Sequence, residues 1–570
     1  CARRGLGRGM RRAAEEALGR RPGDGPLLLA RGLALLLEGA HSEALRALAE
    51  ARGAPGMARA AAHAAIYAHL GCRIVDEEAV QELRAELAGS PGLAEGGARG
   101  LFEAAECCLQ LADVEAARGY MEELQASGGG RGDPQELCLA GWLKLEDEMD
   151  EYGDTRQDVA GALEDFNAAL GEAGGGDAGL EAVLGKARCY EMQGQYELAL
   201  AQVTEATAAF PWFAPVRAER ARIHLALGDW ELCHEAAQQA LAEDPADIQA
   251  LFHVALYELV RRGNAPSALE TLRRVAGEIE KEEPRNHALM CSVASPIVRA
   301  CGRDPEFLKT CRFLLEAARR LAPEVERYSA ELALVYQGMR KHREAADLYA
   351  AASNDDSLGV AGIEGTIHCQ LMTGELADAA GQLEFLQEMG QAMGITVASA
   401  LLNVLLLVKR SADFDQANDV LDDALSDLRE KLAGVCLGPD HLQQLQPHLL
   451  LDVAEVYLES CGSEPRSSTE PPAPQLKQVK QVLQVVLGAC PGNSHAMLLA
   501  ARSAYLDGDM NTAQRKVNEC LKYDSAEPEA LILLAHVFLH QDKPRSALQA
   551  MENADRKSTR LNSSHLLISR

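Results

Sequence analysis

Small side chains recur in this chain at a spacing of 34 residues. Ala187, Ala221 and Ala255 stand one step apart, and the same step joins Ala199, Cys233 and Ser267. It also joins Pro211 to Pro245, Gly194 to Gly228, Tyr196 to Trp230, and Ala206 to Ala240. The period returns at Ala333 and Ile367, Ala345 and Ala379, Ala501 and Ala535, and Ala513 and Ala547. Phe414, Ala417 and Ala424 fit a further unit, and Gly32, Gly39, Ala44 and Ala51 an N-terminal one. A fixed period of this length marks a stack of similar supersecondary units, each burying its apolar face on its neighbours.

Each column has a physical role. Two antiparallel helices approach closest where the facing side chains are small, so Ala, Gly, Ser or Cys mark the seams of a helical hairpin. Gly194-Gln195 and Gly228-Asp229 fill the tight turn where the chain must reverse. The aromatic two residues after the glycine, Tyr196 or Trp230, begins the second helix and packs over the turn. Pro211 or Pro245 closes the unit, because proline cannot continue a helix. Leu and Val at i, i+3 and i+4 fill the rest of each seam. Ala, Leu, Glu and Arg dominate and only 4% of residues are aromatic, which suits helical arrays with small contacts better than one aromatic core. The pattern resembles the tetratricopeptide repeat. The fold it predicts is all-α, a right-handed α-solenoid of tetratricopeptide-type helical hairpins.

The array is uneven. Residues 1–26 read as a truncated, frayed basic helical remnant with Arg3, Arg4, Arg8, Arg11, Arg12, Arg20 and Arg21. Degenerate helical repeats follow over 27–126, tetratricopeptide repeats over 134–277, and degenerate helical pairs over 278–328, broken by Pro284, Pro296 and Pro305. Tetratricopeptide repeats resume over 329–461 and 476–555, on either side of an exposed Pro/Ser-rich loop at 462–475. Two Gly-rich stretches, Ser127 to Asp133 and Gly171 to Gly179, interrupt the pattern. Residues 556–570 lack any helical period and read as a non-native tail of translated vector sequence, so the glycosylation sequon at Asn562 is set aside. The chain starts at Cys1 and in mid-pattern, and is expected to be a fragment of a longer protein.

A formal net charge of −29 repels phosphate backbones, so nucleic acid is not an expected partner. The 15 cysteines are scattered, with no C-x-x-C pair, and read as small reduced core residues of a cytosolic protein. The longest apolar run, Ala398 to Val408, includes Asn403 and is shorter than the ~20 residues a bilayer requires, so no direct membrane insertion is expected.

No constellation of reactive side chains stands out, and no catalytic, cofactor-binding or metal residue is assigned. His536 and His540 share a helix face, but Val537 stands where a zinc protease needs Glu. His63 and His69 share no face, and Gly5, Gly7 and Gly9 follow no strand. Asp419, Asp422, Asp423 and Asp427 read as a solvated helix face, Cys107-Cys108 as packing, and Arg131-Gly132-Asp133 as a chance tripeptide. What remains is surface: a concave wall lined by the first helix of each hairpin, suited to extended peptides or a partner's helices.

Several segments carry more than the generic repeat. Leu139-Ala140-Gly141-Trp142-Leu143 precedes Ala162-Leu163-Glu164-Asp165-Phe166. His368-Cys369-Gln370-Leu371-Met372-Thr373-Gly374-Glu375-Leu376 runs into Gln382-Leu383-Glu384-Phe385-Leu386. Leu437-Gly438, Leu445, Pro447 and Leu449-Leu450-Leu451-Asp452 lead to Val456-Tyr457-Leu458. In this order the chain, from about Leu27 to Ala554, resembles the tetratricopeptide-repeat protein 21 family, the large tetratricopeptide-repeat subunit of the intraflagellar transport A complex. The resemblance implies a non-catalytic scaffold supporting retrograde ciliary transport and ciliary protein entry, without cofactors. It implies the other subunits of that particle, solenoid and propeller proteins, as partners, and leaves cargo adaptors open as a further class. The implied locations are cytoplasm, cilium or flagellum, and basal body. The alternative is a co-chaperone or peptide-binding adaptor, whose groove would need Lys, Arg and Asn to hold a carboxylate tail. Arg188, Arg222 and Glu219 stand near that place here.

Overall fold

The computed structural model describes residues 7–72, 74–89, 97–127, 133–146, 148–149, 155–156, 158–172, 177–211, 213, 215–353, 359–393, 396–410, 414–466, 473–522 and 527–555. Arg3, Arg4, Arg131, Gly132 and the tail 556–570 lie outside them. Within them the chain is an all-α solenoid of tetratricopeptide-type hairpins, interrupted by one two-residue antiparallel pair, Glu148–Met149 with Thr155–Arg156. Ala187, Ala221 and Ala255 are buried, as are Ala199, Cys233, Ala333, Ala345, Ala501 and Ala513. Small side chains therefore sit in the seams because those seams admit nothing larger without pushing the helices apart.

Several of the hairpin turns repeat one hydrogen-bond pattern. Ala40, Gln195, Glu375 and Asp509 each donate a backbone N–H to the carbonyl five residues back, at 2.8 to 3.0 Å. The residue before each donor is left-handed: Gly39, Gly194, Gly374 and Gly508, with φ between 68° and 89°. This left-handed stop satisfies carbonyls that a helix end would otherwise leave unpaired. Ala112, Arg340 and Asp542 hold the same conformation without being glycine, at φ of 59°, 58° and 56°.

One step breaks the period. Gly228 is 34 residues after Gly194, but the next left-handed glycine, Gly263, comes 35 later. The extra residue is absorbed inside a first helix, which is α-helical over Ile248–Leu256 and π-helical over Tyr257–Arg262. The turn bond lengthens with it, from Asn264 to the carbonyl of Glu258, six residues back, at 2.8 Å. The seam position of the second helix consequently moves from Ser267, which is partly exposed, to the buried Ala268.

The helices gather into two compact units. The first comprises Cys1–Leu227, Glu235–Asp247 and Gly277–Leu289, and the second Gly228–His234, Ile248–Ala276 and Met290–Arg570. In the first unit the fully buried Phe166 ring meets Trp142 edge-on, with centroids 5.5 Å apart. A Cβ on Gly185 would lie 2.3 Å from that ring, and one on Gly141 2.8 Å, so both glycines are there to admit it. The Arg-rich start is not frayed: Gly7–Arg20 is a continuous helix. Arg11 pairs with Glu38 at 2.8 Å, Arg12 pairs with Glu282, and the Gly9 amide donates to Glu283 at 3.1 Å, so nearby acids anchor it. The helix after the Gly-rich stretch resumes at Asp177, inside the span expected to be loop.

In the second unit, Pro296 does not break its segment but lies inside the helix His287–Ala300. Proline removes a backbone donor and weakens the preceding turn. Ala294, Ile297 and Val298 are buried around it, and the Arg299 guanidinium donates to the Ser295 carbonyl at 3.0 Å. The π-helical turn also makes a distant contact: the Gly492 N–H donates to the Val260 carbonyl at 2.7 Å. A Cβ on Gly492 would lie 2.4 Å from the Gly263 nitrogen, so two backbones meet there with no room for a side chain.

Phe166→Ala empties the space between the two glycines and is expected to destabilise the first unit by about 3–5 kcal/mol, read from denaturant melts. Ala112→Gly relieves a left-handed alanine and is expected to stabilise by roughly 0.5–1 kcal/mol, the strain removed less the entropy that glycine adds, read as a rise in melting temperature.

Candidate functional site

The first helices of the second unit's hairpins carry polar and ionised side chains where a solenoid seam is ordinarily apolar. Four of these helices are Glu326–Gly338, Gly359–Thr373, Pro447–Ser460 and Ser494–Leu506. Arg299 forms a two-pronged pair with Glu331, at 2.6 and 2.8 Å. Beside it runs a hydrogen-bonded chain. The Tyr349 hydroxyl donates to Gln337 Oε1 at 3.0 Å, and Gln337 Nε2 donates to His368 Nδ1. His368 Nε2 faces Asp452 Oδ2 at 3.0 Å. Asp452 Oδ1 accepts from Arg303, whose other nitrogen reaches Glu455 at 2.7 Å. Arg340 closes the chain on Glu455 at 3.4 Å. The donation order puts the His368 ring proton on Nε2, toward Asp452.

Charges match in this cluster: Arg299, Arg303 and Arg340 against Glu331, Asp452 and Glu455. That balance makes the burial tolerable, because a buried charge that loses its partner is strongly destabilising. Burial alone would push the Asp452 carboxyl up, but the neighbouring His368 ring and the Arg303 guanidinium hold it well below the usual carboxylate range. Glu331 is likewise held down by Arg299 against the effect of burial. His448, whose ring centroid is 6.2 Å from that of His368, is pushed down to about 3 by burial, with His368 and Arg299 adding to the shift. His342 and His495 move in the same direction, again chiefly through burial.

A crevice of about 30 Å³ remains between Arg299, Arg303, Gln337, His448, Asp452 and His495. It has room for a water or two. Small-molecule sites are typically about 300–1,000 Å³. The arrangement therefore pairs and positions its own side chains and gives a substrate no space. It also occupies first-helix surface that the sequence suggested would be open to peptides.

The two segments whose sequence was singled out separately, around His368 and around Asp452, meet at this point. Arg303, Gln337, His448 and Glu455 were missed. Their signal was weak but present: Asp452 is one carboxylate inside the otherwise apolar run Leu449 to Ala454. Elsewhere, His536 and His540 lie against the Tyr505 ring, at 6.3 and 5.5 Å. Among the described residues no group of His, Cys, Asp or Glu is arranged to hold a metal ion, and no helix is long and apolar enough to cross a membrane. Asp419, Asp422, Asp423 and Asp427 are exposed, whereas Cys107 and Cys108 are buried. His63 pairs with Asp113 at 2.9 Å, and Tyr67 donates to the same carboxylate at 2.8 Å. Arg222 spans Glu191 at 2.6 Å and Glu219 at 2.8 Å, and Arg188 meets Glu191 at 3.1 Å. On the first unit, the helices His41–Arg52, Ala58–Leu70 and Glu77–Gly89 flank a groove of about 690 Å³ floored by Leu45, Leu48, Ala65 and Leu83. Leu70, Ile74 and Val75 are exposed at the end of the middle helix.

Two family models match in succession. Residues 1–234 match the tetratricopeptide repeat protein 21 N-terminal ARM repeat, and residues 270–542 the tetratricopeptide repeat protein 21 second ARM domain. A general tetratricopeptide repeat model matches 219–282. The chain is similar to human tetratricopeptide repeat protein 21B, with 31% identity over 520 residues, 91% of this chain and 38% of that protein. Human tetratricopeptide repeat protein 21A is 27% identical over 541 residues, 93% of this chain and 40% of that protein. The Caenorhabditis elegans tetratricopeptide repeat protein 21 homolog is 22% identical over 528 residues, 90% of this chain and 38% of that protein. The chain thus spans about two fifths of the length of these relatives.

The half-buried histidines His342, His448 and His495 give the second unit a pH dependence of known sign. A histidine held below its unfolded value of 6.5 stays neutral in the fold while the unfolded chain takes up a proton, so stability falls as pH drops below about 6.5. From pH 7 to 5, His448 alone is expected to cost on the order of 2 kcal/mol. Asp452 adds a further loss only below its unfolded value near 3.8. Denaturant melts at the two pH values should show the drop, and His448→Asn should flatten it.

Proposed function

We propose, from the premise that the chain belongs to the tetratricopeptide repeat protein 21 family, that it is part of a non-catalytic scaffold subunit of the intraflagellar transport A particle. In that role it supports retrograde ciliary transport and the entry of proteins into the cilium. Its partners are the solenoid and propeller subunits of the same particle, with cargo adaptors as a second class. Its places of work are the cytoplasm, the cilium or flagellum, and the basal body.

The observation that carries this reading is the use to which the family-like residues are put. Gly141 and Phe166 pack against one another, and His368 and Asp452 cross-link two first helices, so these segments maintain a shape. A protein whose distinctive residues maintain a shape works by presenting surfaces. Apolar surface is available for this: Leu70, Ile74 and Val75 are exposed beside the first-unit groove that Leu45 and Ala65 line, and that patch has the character of a protein-binding face. A co-chaperone adaptor needs cations free to receive a carboxylate tail. Arg188 and Arg222 are instead committed to Glu191 and Glu219, which weighs against that role.

The test is affinity purification of the tagged full-length protein from ciliated cells, with mass spectrometry of what co-elutes. The expected result is near-stoichiometric recovery of the other subunits of the particle. Their absence, while the bait is folded and present in cilia, would overturn the reading.

A further inference from the structure

In a solenoid each hairpin touches only its neighbours, so stability is a sum of local terms and one end can open without the other. The second unit departs from that rule. Four polar contacts join residues near its beginning to residues close to its end. Arg303 reaches Asp452 and Glu455, 149 and 152 residues away. Asn493 Nδ2 donates to the Ala300 carbonyl, 193 residues away, at 3.0 Å. The Gly492 N–H donates to the Val260 carbonyl at 2.7 Å. All the hairpins between Pro305 and Leu445 lie within the loop that these contacts close.

We propose that these contacts form a clasp that locks Val260, Ala300 and Arg303 to Asp452, Glu455, Gly492 and Asn493, so that the second unit opens as one body and not hairpin by hairpin. Three features single them out from incidental surface pairs. They are shielded: Asn493 is 2% exposed and Asp452 6%, and the Arg303 and Glu455 side chains are half-buried at 21% and 18%. They are interlocked, since Asn493 Oδ1 also caps the next helix by accepting from the Ala496 amide at 2.8 Å, and Asp452 holds both Arg303 and His368. They are sterically committed, because a Cβ on Gly263 would lie 2.8 Å from the Gly492 carbonyl oxygen. Exposed ion pairs exchange readily with water, but a buried pair cannot be half-opened without stranding a charge, so the contacts form and break together. The π-helical turn belongs to the same device, because its extra residue precedes the Gly263 that meets Gly492. While the clasp is shut, the first helices around it are bridged by the protein's own side chains, and a peptide laid along them would have to open it.

Hydrogen–deuterium exchange of the whole chain, followed by mass spectrometry, tests this with Asp452→Asn. The clasp predicts at least tenfold faster exchange in Tyr257–Arg262 and His287–Ala300, which are remote in sequence, together with Pro447–Ser460. The first-unit helix Ala58–Leu70 should be unchanged. If faster exchange is confined to Pro447–Ser460 and the helices flanking it in sequence, the proposal is wrong. Should Asp452→Asn not fold, Gly492→Ala separates the two backbones without touching a charge. It should speed exchange in His287–Ala300 and Gly359–Thr373 as well as at the altered site, and an effect limited to Tyr257–Arg262 and Ser494–Leu506 would equally overturn the clasp.

Discussion

Two antiparallel helices can lie only as close as their facing side chains permit, and the architecture follows from that distance being short. Ala187, Ala221, Ala255 and their equivalents keep the seams narrow enough for Leu and Val to interdigitate on either side. Where a large ring enters a seam, glycine compensates: Phe166 is accommodated because Gly141 and Gly185 have no Cβ. Many of the hairpin turns obey the same economy of space: at Gly39, Gly194, Gly228, Gly374 and Gly508 a first helix ends in one left-handed residue and the next begins two residues on. Stacked in this way, short helices with little stability of their own become a continuous body.

The second unit adds a different kind of bond to this apolar scheme. Arg299, Glu331, Arg303 and Asp452 place charge in a seam, which is a poor source of stability by itself. What such groups supply is direction. An alanine seam tolerates small slips between helices, whereas a two-pronged arginine–carboxylate pair has one geometry. These pairs therefore add a directional constraint to the seam packing at this one place.

Much of the fold was legible from the chain because repetition makes a weak signal strong. No single alanine predicts a seam, but columns of them at one spacing do, and Tyr196 and Trp230 start their helices as that spacing required. The failures were also local. Ser267 was assigned to a seam that Ala268 occupies, because a π-turn is invisible to a period measured over only two steps. Pro296 suggested a break, yet it lies inside a continuous helix. The polar cluster was the least legible part. Its members lie in five different helices and the turns beside them, and nothing in a one-dimensional pattern says that residue 303 will meet residue 452. The segments containing His368 and Asp452 did stand out, but as separate likenesses and not as two halves of one contact.

The turn from Tyr257 to Arg262 shows how such an array accommodates a change of length. One residue too many, inserted in most cores, would be expelled into a bulged loop or would rotate every following side chain off its face. Here it is taken up as a local change in winding, and the phase is restored by the next glycine. Superhelical proteins can therefore absorb insertions inside an element as well as between elements. A jump from 34 to 35 in the spacing of otherwise regular columns marks where a backbone carbonyl has been turned aside and freed to bond elsewhere.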